Sequence, residues 1–276
     1  MKIAVFGAGI MGSGIAQLFA SYGHEVLLYA SSIESAEKHK QSLAAFLEGR
    51  VAKGKMEKTD ADALISRISC PEYEACSDCD LIVEAIAEDM AVKKEFFAKL
   101  DKTASEKTIF ATNTSSLSIT EMGRGLKHQL VGMHFFNPAP LMALIEVIRG
   151  ENTSEEAFKF IFDLSKAIGK EPVEVSESPA FVVNRMLVPM INEAVHLLEM
   201  HVASAEDIDK AMMLGAGHKI GPLALGDLIG LDVVLAVCET IQTQTGDPKY
   251  APSLLLRRMV SAGKLGRKTG EGFFKY

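Results

Sequence analysis

The chain has 276 residues, 48% of them hydrophobic, and a formal net charge of −7. That length predicts one large or two ordinary domains with ample apolar material for a core. The negative balance disfavours general nucleic-acid binding while leaving room for local basic patches that meet an anionic substrate. No apolar run reaches the roughly 18 residues that span a bilayer, and a strand begins almost at residue 1, so neither a membrane segment nor a signal peptide is expected.

Residues 2–6, Lys2-Ile3-Ala4-Val5-Phe6, read as a buried strand that runs into Gly7-Ala8-Gly9-Ile10-Met11-Gly12 and then into a helical stretch over 13–22. This is the G-x-G-x-x-G pattern in the strand–turn–helix context that gives it meaning as a dinucleotide site. Gly7 allows the turn, Gly9 lets a pyrophosphate approach the backbone, and Gly12 lets the helix lie close to the sheet. The helix N-terminus offers unpaired N–H groups to the phosphates. A second strand over 25–29 ends at Ala30-Ser31-Ser32, where an NAD site is expected to place Asp or Glu for the ribose 2′-hydroxyl.

Further strands are predicted over 81–84, 108–111, 130–136, 144–148 and 172–175, with helices over 33–55, 91–103 and 155–168. Alternating elements with near-continuous apolar strands predict a Rossmann-type, doubly wound parallel sheet covered on both faces. The long charged helix from residue 33 is unusual for a crossover, and an arm over about 33–68 is expected to project. Beyond about residue 180 only helical periodicity remains, over 182–200, 205–214, 231–244 and 252–262. The expected organisation is a dinucleotide-binding domain over 1–182 and a small all-helical domain over 183–276. The 182–200 helix is apolar on much of its circumference and must be buried in its domain or against another subunit. Cys76-x-x-Cys79 has no matching ligand pair nearby, so no metal is expected; reduced thiols suit a cytoplasmic protein.

Some polar residues stand out. His134 lies inside the apolar strand Leu130–Phe136, and Glu146 inside the next, 144–148. A buried carboxylate is costly unless paired, and the imidazole is the obvious partner. Such a pair suits proton exchange with a substrate; a purely structural ion pair gives the same pattern. Asn113-Thr114-Ser115-Ser116 follows a strand, where ligands bind in a doubly wound sheet. A helix cap at Ser116 or Ser118, with Glu121 as the capping-box acid, explains it equally. Asn184 is the polar exception in Phe181-Val182-Val183-Asn184-Arg185, and Arg50, Lys53 and Lys55 form a basic run that is either solvated or a phosphate contact.

Taken together, the glycine loop, Asn113-Thr114-Ser115-Ser116-Leu117, His134-Phe135-Phe136-Asn137-Pro138, Glu146-Val147, Phe181-Val182-Val183-Asn184-Arg185 and the tail from Gly266-Arg267-Lys268 to Phe273 resemble the 3-hydroxyacyl-CoA dehydrogenase family along essentially the whole chain. The likeness is greatest to its short bacterial 3-hydroxybutyryl-CoA branch, that of butyrate and butanol metabolism. The resemblance implies reversible hydride transfer between NAD(P)H and acetoacetyl-CoA or (S)-3-hydroxybutyryl-CoA. It makes His134 the general base, with Glu146 orienting and charging the imidazole, while Ser115 and Asn184 hold the 3-oxygen. Gly7, Gly9, Ile10, Met11, Gly12, Ala30, Ser31, Glu88, Lys93, Asn113, Asn137 and Lys268 match cofactor positions. Lys53, with Arg50, matches the region that meets CoA. A homodimer through the helical domain is implied, with an acyl-CoA as the binding partner and neither nucleic acid nor membrane.

Two departures stand out: Ala180 replaces a frequent Gly, and Ala30 replaces the Asp of NAD-dependent members. The second implies that NADP is accepted and modestly preferred. Alternatives are a broader-chain enzyme of fatty-acid β-oxidation, a non-enzymatic crystallin-like relative, and a β-hydroxyacid dehydrogenase with a catalytic Lys, which the His134–Glu146 pair disfavours.

Overall fold

A computed structural model describes residues 1–276, which divide into two units, Met1–Ser178 and Pro179–Tyr276. The first runs β1 (Lys2–Phe6), α1 (Ile10–Ser21), β2 (Glu25–Tyr29), α2 (Ile33–Ala52), α3 (Lys58–Ser66), β3 (Ile68–Ser69), β4 (Leu81–Glu84), α4 (Met90–Leu100), β5 (Ile109–Thr112), α5 (Ile119–Gly123), β6 (Leu130–Phe135), β7 (Leu144–Arg149), α6 (Glu155–Ala167) and β8 (Glu171–Ser176). The sheet order is β3-β2-β1-β4-β5-β6-β7-β8. Its inner strands are apolar because both faces are covered, with Ile3, Val5, Leu28, Leu81 and Val131 essentially inaccessible, whereas the edge strand β8 is largely exposed.

The sheet is not all parallel. β6 and β7 pair antiparallel, with His134 opposite Glu146, while every other neighbouring pair is parallel. The segment 136–143 between them is too short for a parallel crossover, which needs about a dozen residues. The predicted helix from residue 33 is α2, and a second helix, α3, follows it within the 33–68 arm. α2 begins at Ser32, whose hydroxyl accepts the Ser35 N–H, and ends before Gly54, where φ is 63°. Leu43 and Leu47 of α2 and Ala61 and Leu64 of α3 join the same apolar core as α1.

The second unit holds α7 (Val183–Glu199), α8 (Ala205–Gly215), α9 (Pro222–Ile229), α10 (Leu231–Thr245) and α11 (Leu254–Ser261) around Val188, Ile191, Val195, Leu223, Val234, Ile241 and Leu256. Two buried carboxylates organise it. Asp209 accepts the Leu223 and Ala224 N–H groups and so caps α9. Asp227 accepts the Phe273 and Phe274 N–H groups and the Tyr276 hydroxyl, seating the C-terminal turn that carries Lys268. Asp227→Ala is expected to cost about 3 kcal/mol in urea unfolding, the scale of lost hydrogen bonds to a buried charge. A change below about 0.5 kcal/mol, the level of an ordinary surface substitution, would show that the tail holds itself.

Candidate active site

The glycine loop is shaped by backbone contact. Gly7 has φ 99°, and a Cβ there would lie 2.2 Å from the Ala85 carbonyl oxygen; a Cβ on Gly12 would lie 1.7 Å from the Gly7 oxygen. Only glycine fits either place. Gly9 has open space where its Cβ would be, and it precedes α1 without any side-chain cap. The first N–H groups of α1 therefore face a cradle that accommodates a pyrophosphate, and the residues present fit a dinucleotide. Ile10 is largely exposed at this end, while Met11 packs against the core. At the end of β2, Ala30 and Ser31 line a cleft of about 380 Å³ with Phe6, Tyr29, Ser32 and Tyr73. Its lining also includes Glu34 and Glu72, and no lysine or arginine.

Past the ends of β4 and β5 lies a buried charged network. Lys93, 1% exposed, sits between two carboxylates: Nζ is 2.6 Å from Glu84 Oε1 and 3.2 Å from Glu88 Oε2. Glu84 also accepts the Thr112 hydroxyl and the Ile86 N–H. Glu88 accepts the Thr114 hydroxyl, the Ser115 N–H at 2.8 Å and the Ser115 hydroxyl at 3.2 Å. Burial raises the Glu84 pKa, opposed by Lys93. Burial also pushes Glu88 upward, but the Lys93 charge and the hydrogen bonds from Thr114 and Ser115 outweigh it, leaving Glu88 below the usual carboxylate value. The structure thus joins Glu88, Lys93 and Ser115. Glu84 and Thr112 belong to the same network without having been singled out in the sequence; a carboxylate closing the apolar run Leu81-Ile82-Val83 was the available signal.

His134 and Glu146 face each other across β6 and β7, with Nδ1 2.7 Å from Oε2. They are 5% and 1% exposed, so water scarcely competes for either. The carboxylate holds the ring through Nδ1 and so fixes its orientation. Asn113 braces the strand, its side-chain oxygen accepting the Phe135 N–H at 2.9 Å. Asn137 is exposed just beyond, before a cis peptide bond to Pro138.

The family model for the NAD-binding domain of 3-hydroxyacyl-CoA dehydrogenase matches residues 2–178, and that for the C-terminal domain matches 181–276. The chain belongs to the 3-hydroxyacyl-CoA dehydrogenase family. It is 54% identical to a 3-hydroxybutyryl-CoA dehydrogenase of Clostridioides difficile, over 100% of this chain and 99% of the relative. It is 42% identical to the human mitochondrial hydroxyacyl-coenzyme A dehydrogenase, over 99% of this chain and 90% of that one. The crystal structure of (S)-3-hydroxybutyryl-CoA dehydrogenase from Ralstonia eutropha superposes with a TM-score of 0.94 at 43% identity, covering 100% of this chain and 98% of that one. As a member of this family the chain is an oxidoreductase with an NAD-binding Rossmann domain.

The other candidate residues of this dehydrogenase lie on α2 in the first unit, and on α7 and the C-terminal turn in the second. Arg50 and Lys53 lie at the C-terminal end of α2, Lys53 exposed. Asn184 is half-buried in the first turn of α7. Lys268 is paired with Asp232, Nζ to Oδ2 at 2.7 Å. Ala180 and Phe181 both adopt positive φ, 61° and 57°, a conformation glycine takes without strain. Cys76 and Cys79 are buried free thiols, pushed up to about 11 and about 12 chiefly by burial.

Proposed function

We infer that this chain interconverts acetoacetyl-CoA and (S)-3-hydroxybutyryl-CoA by reversible hydride transfer at C3. The observation that carries the reading is the buried 2.7 Å His134–Glu146 pair, in a chain whose 54%-identical relative bears the name of that activity. A nicotinamide bound at the glycine loop would supply hydride for reduction of the ketone and accept it on oxidation of the alcohol. His134 gives the proton to the 3-oxygen in the first direction and removes it in the second. Glu146 stabilises the imidazolium that reduction consumes and oxidation forms. Ser115 and Asn184 hydrogen-bond the 3-oxygen, and Glu88 keeps the Ser115 backbone in place. Gly7, Gly9, Gly12 and the first turn of α1 hold the pyrophosphate; Glu88, Lys93, Asn113, Asn137 and Lys268 complete the cofactor side. Lys53 and Arg50 meet the CoA phosphates.

Ala30 offers no carboxylate to a ribose 2′-hydroxyl and no charge to repel a 2′-phosphate. Ser31 and the N-terminus of α2 favour an anion; Glu34 and Glu72 in the same cleft oppose it. NADPH is therefore accepted alongside NADH, with only a modest preference. A homodimer suits the helical unit, where Met186, Met200, Val202, Leu214 and Leu254 are each more than 60% exposed. No helix is long and apolar enough to cross a membrane; a cytoplasmic location is the reading that suits four free thiols.

Steady-state oxidation of NADH and NADPH with acetoacetyl-CoA tests the reading. Turnover on the order of 1–10³ per second, the usual range for enzymes, is expected with both nucleotides. Absence of turnover with either, for acetoacetyl-CoA and for longer 3-ketoacyl-CoAs, would sink it and favour a non-enzymatic relative.

A further inference from the structure

Lys170 is a buried lysine to which the hydride-transfer chemistry gives no part. It is 6% exposed and stands between α6 and β8, its own N–H bonded to the Ser165 carbonyl. Its ammonium donates to three backbone carbonyls: Ala139 and Met142 at 2.8 Å each and Pro140 at 3.2 Å. These belong to the connection between β6 and β7. There the Leu141 and Met142 N–H groups both donate to the Pro138 oxygen, at 2.9 and 3.0 Å, forming a single helical turn. A helical turn that stops leaves carbonyls pointing onward with no N–H to meet them. A cation at that end satisfies them and complements the local dipole.

The charge state matters to the count. Three acceptors match the three N–H bonds of an ammonium, while a neutral amine has two. Burial lowers the pKa of Lys170, so the carbonyl cradle is what makes the charged form tolerable there. The turn also packs on the cofactor helix: a Cβ added to Gly14 of α1 would meet Pro140 Cδ at 3.3 Å and Ala139 Cβ at 3.4 Å. One face of the turn thus rests on α1 and its carbonyls rest on Lys170, while the strands on either side carry His134 and Glu146.

We propose that Lys170 is a positioning residue for this reaction: by capping the 138–142 turn it fixes Asn137 and the β6–β7 hairpin against the helix that begins at the phosphate cradle. The proposal rests on the hydride-transfer reading above. Its effect falls on cofactor engagement more than on the proton transfer, because the pair at His134 and Glu146 is held separately by strand register.

The test uses the full-length protein as Lys170→Met, which keeps the stem and removes every donor, and as Lys170→Gln, which restores two donors without charge. Hydrogen exchange at the Leu141 and Met142 amides is expected to quicken about tenfold or more in K170M, with β6 and β7 amides unchanged, as for local opening. The KM for NADH is expected to rise about fivefold or more with a smaller change in kcat, and K170Q to lie between K170M and wild type. Active wild-type enzyme whose K170M form keeps both its exchange rates and its KM overturns the proposal alone. So does exchange that quickens equally through β6, β7 and β8, or failure of both variants to fold, since either assigns Lys170 to the fold itself. Wild-type protein inactive on acetoacetyl-CoA overturns the functional reading and the proposal with it, and the wild-type assay alone reveals that case.

Discussion

His134→Gln is expected to lower kcat for acetoacetyl-CoA reduction by about 10³-fold, within the 10²–10⁴ that a positioned general acid or base contributes. Glu146→Gln keeps an oxygen that can accept from Nδ1 but removes the charge that favours the imidazolium, and a loss of about 10²-fold is expected. The two side chains share one hydrogen bond and one task, so their losses should not multiply. The double variant H134Q/E146Q is expected within a few-fold of H134Q, as for residues that act as a unit. Single-turnover rates measured at saturating cofactor would check this. Fully multiplicative losses would mean that Glu146 serves the reaction other than through His134. Glu146→Ala is the wrong probe, because stripping one partner from a buried pair costs about 3–5 kcal/mol of stability and confounds the kinetics.

Ala30→Asp is expected to raise the ratio of kcat/KM for NADH over that for NADPH by about 10²-fold. A hydrogen bond to a charged acceptor is worth about 1.5–3 kcal/mol, which by itself is about 10- to 100-fold, and repulsion of a 2′-phosphate adds on the other side. The new carboxylate would stand at the mouth of the cleft that already holds Glu34 and Glu72. Paired steady-state measurements with both nucleotides read the ratio directly. A ratio that moves less than about threefold, under 0.7 kcal/mol, would show that the ribose lies out of reach of position 30.

The sheet was readable wherever strands are buried on both faces, because such strands carry continuous apolar runs such as Ile3-Ala4-Val5-Phe6 and Leu81-Ile82-Val83. β3 was not, since Ile68–Ser69 is too short to carry a period. The direction of β7 was not read from its residues, which look alike either way; the brevity of 136–143 held that information. α9 was passed over although Pro222 stands at its first position, because Gly226 and Gly230 interrupt the apolar pattern and Gly230, at φ 106°, sets α10 directly against it. His134 and Glu146 were legible as candidates because each breaks an apolar strand. Glu84 breaks one just as plainly at its last residue, yet its partner Lys93 lies on a helix nine positions on, where a lysine looks like ordinary solvated charge. Lys170 was the least legible, since its partners are backbone carbonyls that leave no mark on side-chain pattern.

The register of β6 and β7 has a consequence for how this enzyme tolerates changes of length. His134 meets Glu146 because Met133 meets Val147 and Phe135 meets Ile145. Deleting one residue between Leu144 and Glu146 would slide β7 by a single step, set an aliphatic side chain opposite the imidazole and turn the carboxylate to the other side of the sheet. No point substitution would restore it, since the whole strand would be inverted. Insertions within 138–142 leave that alignment alone and instead disturb the carbonyls gathered by Lys170. The same hairpin thus offers two separable handles to an engineer: frame within the strands decides whether proton chemistry exists at all, and length at the tip tunes how firmly the nucleotide is gripped.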